Sequence, residues 1–217
     1  MFDALFTTTT EYKKLSHALS GKGACALFGL PASGRAQVYA ALCRQLDKPL
    51  CIVTPGEAEA TRFAADLNTL GIPAAVFPAR DYVLRPIEGT AREYEYRRLA
   101  VLGELVGGRL CAVAVPAEAL TQFTTPKEDF CANTRTLHAG DTLLRDDLLA
   151  ALFGAGYTRR AQVDGPGQFS VRGDIVDIFA PDQKMPVRME FWGDEIDTLH
   201  TFDLTTQRRE DAIDKFY

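Results

Sequence analysis

The pattern of apolar residues changes once along this chain, just past Pro116, and no other feature limits the fold so strongly. Before that point, short apolar runs at residues 24–28, 50–54, 74–77 and 110–115 read as buried strands. Between them, residues 35–46, 57–69 and 91–106 carry apolar residues at helical spacing; Tyr94, Arg98, Val101 and Leu105 would share one side of the last helix. Such alternation builds right-handed strand–helix–strand units around a parallel sheet. Beyond Pro116 the order differs. Thr124-Thr125-Pro126-Lys127 has the composition of a linker. Asp141-Thr142 offers a cap for a helix running to about Phe153, with Leu144, Leu148, Leu149 and Leu152 as its apolar stripe. From Tyr157 to about Phe202 only strands and tight turns are expected. One helix followed by a meander is an α+β arrangement with a mainly antiparallel sheet.

The expectation is therefore an α/β parallel-sheet domain over residues 1–124 and a smaller α+β domain, mainly antiparallel, over 125–205. A tail, 206–217, would begin a return to the first domain. A chain of 217 residues, 47% of them apolar, can fill two modest cores. Residues 121–217 hold 11 Lys+Arg against 17 Asp+Glu, so the second part carries the whole of the chain's negative excess. That acidity counts against broad nucleic-acid binding, which needs a basic footprint. Met1-Phe2-Asp3 lacks the basic flank of a signal peptide, and no apolar run approaches the roughly 18 residues of a membrane span. The five cysteines form no CxxC pair and His17, His138 and His200 stand far apart, so reduced thiols and no metal site are expected in a cytoplasmic protein.

Gly29-Leu30-Pro31-Ala32-Ser33-Gly34-Arg35-Ala36 lies between an expected strand and an expected helix. It fits the frame of a nucleotide-binding phosphate loop at Gly29 and Gly34. The chemistry does not follow: Arg35 stands where a lysine would hold the phosphates, and Ala36 where a hydroxyl would ligate magnesium. An arginine fork cannot take over a lysine's point-charge site, and losing the metal ligand removes a main source of charge neutralisation. Two readings fit, an ordinary glycine-rich turn or a P-loop-like domain whose loop has eroded. On both, no catalytic residue and no cofactor are expected.

The most informative stretch is Gly156-Tyr157-Thr158-Arg159, then Gly165-Pro166-Gly167-Gln168-Phe169-Ser170-Val171-Arg172-Gly173-Asp174-Ile175-Val176-Asp177-Ile178-Phe179. It continues through Val187-Arg188-Met189-Glu190-Phe191-Trp192-Gly193-Asp194 to Phe202-Asp203 and Gln207-Arg208. Side chains alternate faces along a strand. Phe169 and Val171 therefore oppose Ser170 and Arg172, and Val187, Met189 and Phe191 oppose Arg188, Glu190 and Trp192. The sheet buries one apolar face and presents another with arginines, a glutamate and an aromatic. That second face reads either as an ordinary solvated surface or as an interface, since Arg and Trp are the residues binding hot spots favour.

These blocks resemble the second domain of UvrB, and more closely its counterpart in the transcription-repair coupling factor (Mfd) family. Gly-Gln-Phe-Ser-Val-Arg-Gly and the closing Phe-Asp and Gln-Arg pairs favour the latter. The resemblance implies a non-catalytic, amino-terminal module that recruits UvrA in transcription-coupled nucleotide excision repair. Residues 1–124 would correspond to the first UvrB domain, with a phosphate loop that has lost nucleotide binding. It also implies UvrA contacts at Arg159, Arg172, Arg188 and Glu190, with Phe179 a further candidate. Ser170 stands where UvrB-like sequences often carry another arginine. The short connection after Pro78 leaves no room for the DNA-probing hairpin of UvrB. The remaining domains of a longer parent, an ATP-dependent DNA translocase, would be its other partners, and DNA and RNA polymerase would be met only through those parts. The rival reading, a fragment of a UvrB-type helicase, needs the lysine and hydroxyl missing at Arg35 and Ala36.

Overall fold

A computed structural model describes residues 7–21, 24–46, 48–80 and 91–216. The short connection expected after Pro78 falls largely on residues 81–90, outside the described residues. The chain divides into two compact units, Met1–Tyr94 with Val101–Phe123, and Glu95–Ala100 with Thr124–Tyr217.

The first unit contains α1 (Thr10–Ser20), α2 (Ala32–Gln45), β1 (Leu50–Thr54), α3 (Glu57–Thr69), β2 (Ala74–Val76), α4 (Ala91–Val106, partly assigned to the second unit), β3 (Ala112–Pro116) and the single turn α5 (Ala117–Leu120). Its sheet is parallel, in the order β1-β3-β2. Every residue of the central strand β3 is buried, as a parallel strand covered on both faces must be. Ala112 and Ala114 lie with Ile52, Phe63, Ala64 and Leu67 on the side of α2 and α3. Val113 and Val115 lie in a separate cluster with Phe77, Val101 and Leu110.

Two boundaries differ from the sequence reading. Residues 24–28 form no strand; Leu27 and Phe28 are exposed, and β1 pairs with β3 alone among the described residues. The outer edge of β1 is left unpaired among the described residues, so an apolar composition alone did not make this run a strand. Helix α2 starts at Ala32, three residues before the expected position, because Pro31 supplies a suitable entry angle at φ −65° and its carbonyl accepts from Arg35 N at 3.1 Å.

The second unit contains α6 (Lys127–Asn133), β4 (Leu137–His138), α7 (Arg145–Gly154), β5 (Thr158–Arg159), β6 (Gln168–Arg172), β7 (Ile175–Phe179), β8 (Val187–Trp192), β9 (Glu195–Phe202), β10 (Arg209–Ala212) and β11 (Lys215–Phe216). Six strands follow the order β10-β9-β8-β7-β6-β5, antiparallel throughout except for the parallel β5–β6 pair. Phe169, Val176, Ile178, Met189 and Leu199 form its core with Leu148 and Leu152 of α7. Phe153 meets Phe169 edge-on, with centroids 5.1 Å apart. Burying each such large side chain contributes about 1.5–3 kcal/mol.

Helix α7 begins later than the expected cap at Asp141-Thr142, because those residues are used elsewhere. Asp141 Oδ2 accepts from His138 N at 2.7 Å, Thr142 bridges to Glu195, and Leu143 N donates to Asp194 O. The tail, expected to begin a return to the first domain, lies in this unit as far as Phe216. Strand β10 pairs with β9, β11 pairs with β4, and Phe216 joins the core.

Candidate protein-binding face

The register of the second sheet aligns Ser170, Asp177, Arg188 and His200, one from each of β6 to β9, in a single row on the side away from α7. Asp177 interrupts an apolar strand and is fully buried. A carboxylate in such a place must be paired, and it is. Arg188 donates to it twice, Nε to Oδ1 at 2.7 Å and Nη2 to Oδ2 at 2.9 Å. Arg172, in the neighbouring row, donates Nη2 to the same Oδ2 at 2.6 Å. This is a two-arginine, one-carboxylate cluster.

Arg188 is not the exposed residue that strand alternation suggested: only 8% of it is accessible. Its guanidinium lies 4.8 Å from the centroid of the Phe202 ring, and Nη1 donates to Gln207 O at 3.2 Å. Gln207 belongs to a tight turn that closes over it. Asp203 Oδ1 accepts from Thr205 N and Thr206 N, and Gln207 takes a left-handed φ of 59°. Hydrogen bonding to Thr206 holds the Asp203 carboxyl below its ordinary pKa, and hydrogen bonding to Asp177 raises that of Arg188. Alternation reports the side a residue faces, and here that side has its own cover.

Phe179 is likewise inside, in a second small cluster with Val163 and Phe202. Glu190 pairs with Arg209 from β10 and accepts from Thr198 Oγ1 at 3.3 Å. Arg159 is exposed, but its register partner is Phe169, which places it on the α7 side of the sheet, away from the row. Of the residues singled out by sequence, Arg172, Arg188 and Glu190 therefore come together. Arg159 and Phe179 do not join them at the surface. Trp192 stands on the same face of β8 as Arg188 and Glu190 and is 81% exposed. The sequence reading placed Trp192 on this face without counting it as a contact. It passed over Asp177, whose signal was a lone acid within Ile175-Val176-Asp177-Ile178-Phe179.

In the first unit, Gly29 takes a left-handed φ of 82° and Gly34 is buried, its Cα so close to Pro31 that a Cβ would lie 3.3 Å from the proline ring. Ala36 is buried in the apolar cluster, and Arg35 Nη1 lies 3.7 Å from Glu59 Oε1. Among the described residues no strand precedes the segment, and α2 already begins at Ala32, between the two glycines. The phosphate-loop spacing is therefore kept without its strand–loop–helix setting, and the Arg35 cation lies toward a carboxylate.

Residues 136–217, within the second unit, match the family model of the UvrB interaction domain. The chain as a whole is similar to the amino-terminal region of transcription-repair-coupling factors. It is 38% identical over 192 residues to the one from Mycobacterium bovis and 34% identical over 196 residues to the one from Myxococcus xanthus, covering 85% of this chain in each case. To the one from Bacillus subtilis it is 29% identical over 189 residues, or 86% of this chain. The chain spans only 15–16% of the length of these relatives. No described helix is long and apolar enough to cross a membrane.

Proposed function

We propose that this chain is the UvrA-docking module of a bacterial transcription-repair coupling factor, acting in the cytoplasm in transcription-coupled nucleotide excision repair. It performs no chemistry itself. The observation that carries this reading is the ordered face of the second sheet, where a half-exposed Arg172 and a bare Trp192 flank the Asp177–Arg188 and Glu190–Arg209 pairs. An exposed indole and a half-exposed guanidinium on one sheet face are hot-spot chemistry, in which area comes from the ring and orientation from the fork. The match of residues 136–217 to an interaction domain supports the same reading. A UvrB-type helicase is the poorer fit, because Arg35 faces Glu59 and Ala36 has no oxygen to offer a metal. The remaining domains of the parent would supply the translocase and the contacts to DNA and polymerase.

Titration of purified UvrA with this chain tests the proposal. Binding is expected, and Trp192→Ala should weaken it by about tenfold or more, as truncation of a central aromatic does at interfaces. Failure of the folded wild-type chain to bind UvrA would remove the reading.

A further inference from the structure

The Asp177 cluster carries two guanidinium groups on one carboxylate, so one positive charge is left over. Arg188 has little left to offer: Nε and Nη2 are taken by Asp177, Nη1 by Gln207 O, and its plane by Phe202. The surplus therefore falls on Arg172, whose side chain is half exposed and whose hydrogen bond is made by Nη2 alone. A guanidinium tied at one corner presents its remaining donors in a fixed fork, the geometry that receives a carboxylate. We propose that Asp177 is the positioning residue of this face, holding Arg172 so that it receives a carboxylate of the partner, with Arg188 as the internal strut that keeps Asp177 in place. This deepens the docking proposal above and rests on it.

The burial of Asp177 makes the assignment specific. A carboxylate at the surface would hold Arg172 weakly, because water competes for both partners. A buried one, already oriented by the two bonds from Arg188, leaves Arg172 few alternatives.

The test is a double-mutant cycle read as affinity for purified UvrA, with melting temperature measured alongside. Arg172→Ala and Asp177→Asn should each weaken binding by about tenfold, and the double variant should bind no worse than Arg172→Ala alone. A residue that mattered only for folding would cost affinity in both backgrounds, so losses that multiply overturn the proposal. Unchanged affinity of Asp177→Asn beside a weakened Arg172→Ala also overturns it, while leaving the docking face standing. If Arg172→Ala binds UvrA as tightly as wild type, it is the docking reading of this face that fails. Should Asp177→Asn not fold, the unaltered chain decides by NMR. Slow rotation about the Arg172 Cζ–Nη bonds is expected of a held group, and rotation as fast as in a free arginine overturns the inference.

Discussion

Each unit puts an arginine where its sequence motif is most informative, and the two treat it in opposite ways. Arg35, at the lysine position of the phosphate-loop frame, stands half exposed, 3.7 Å from a Glu59 that also lies 3.6 Å from Arg62. Arg188 is buried, bonded twice to a buried aspartate, stacked on Phe202 and closed over by the 203–208 turn. The first is a cation at the surface, shared with water and set toward a carboxylate on the next helix. The second is a side chain on which the order of a whole sheet face depends. A partly exposed ion pair can lose a partner with little consequence, whereas a buried charge network persists only if every partner is present.

The largest expected effect follows from the second arginine. Removing one partner of a buried ion pair strands the other, at a cost of about 3–5 kcal/mol. Arg188→Ala should therefore destabilise the second unit by that amount in urea denaturation. The Arg172/Arg188 double reversal to Glu, which strand alternation alone treats as harmless to folding, should leave the unit unfolded, because it would set two glutamates against Asp177. A loss below about 1 kcal/mol for Arg188→Ala would mean that the cluster is ordinary surface.

The two regions should also fold separately. Thr124-Thr125-Pro126 is exposed and outside regular structure, with Lys127 opening the short helix α6. Limited trypsin digestion should cut after Lys127 before it cuts at Arg172 or Arg188, which lie in paired strands. First cleavage within the sheet would show that the joint is the more protected part and that the two regions share one cooperative core.

How much of this was legible in the sequence depended on whether local pattern or distant partners decided the outcome. Helices Glu57–Thr69 and Ala91–Val106 appear where their periodicity placed them, because apolar spacing and length suffice for a helix. The alternation of β6 to β9 was equally plain, since Phe169, Met189 and their neighbours needed one buried face. Burial on the opposite face was not legible. The cover over Arg188 comes from a turn nineteen residues further on, at Gln207, and no local pattern announces it. The face of Arg159 was hidden for a related reason: β5 has only two residues, and its side follows from parallel pairing with β6. Residues 24–28 had a strand's composition, yet they stay exposed and join no sheet among the described residues, although β1 has an unpaired edge.

The smallest expected effect belongs to Arg35, and it is the sharpest check on the contrast. Arg35 and Glu59 are both partly exposed and 3.7 Å apart, so water screens the pair, and Arg62 remains beside Glu59 when Arg35 is removed. Position 35 lies in the first turn of α2, where alanine is at least as good a helix former and where a cation gains nothing from the helix dipole. Arg35→Ala should therefore change stability by no more than about 0.5 kcal/mol, and raising the salt concentration should leave even that difference smaller. Urea denaturation of the two proteins at low and high salt measures it. A loss comparable to that of Arg188→Ala would mean that the phosphate-loop arginine is as structurally bound as its counterpart in the second sheet. The segment around Arg35 and the ordered face would then no longer differ in kind.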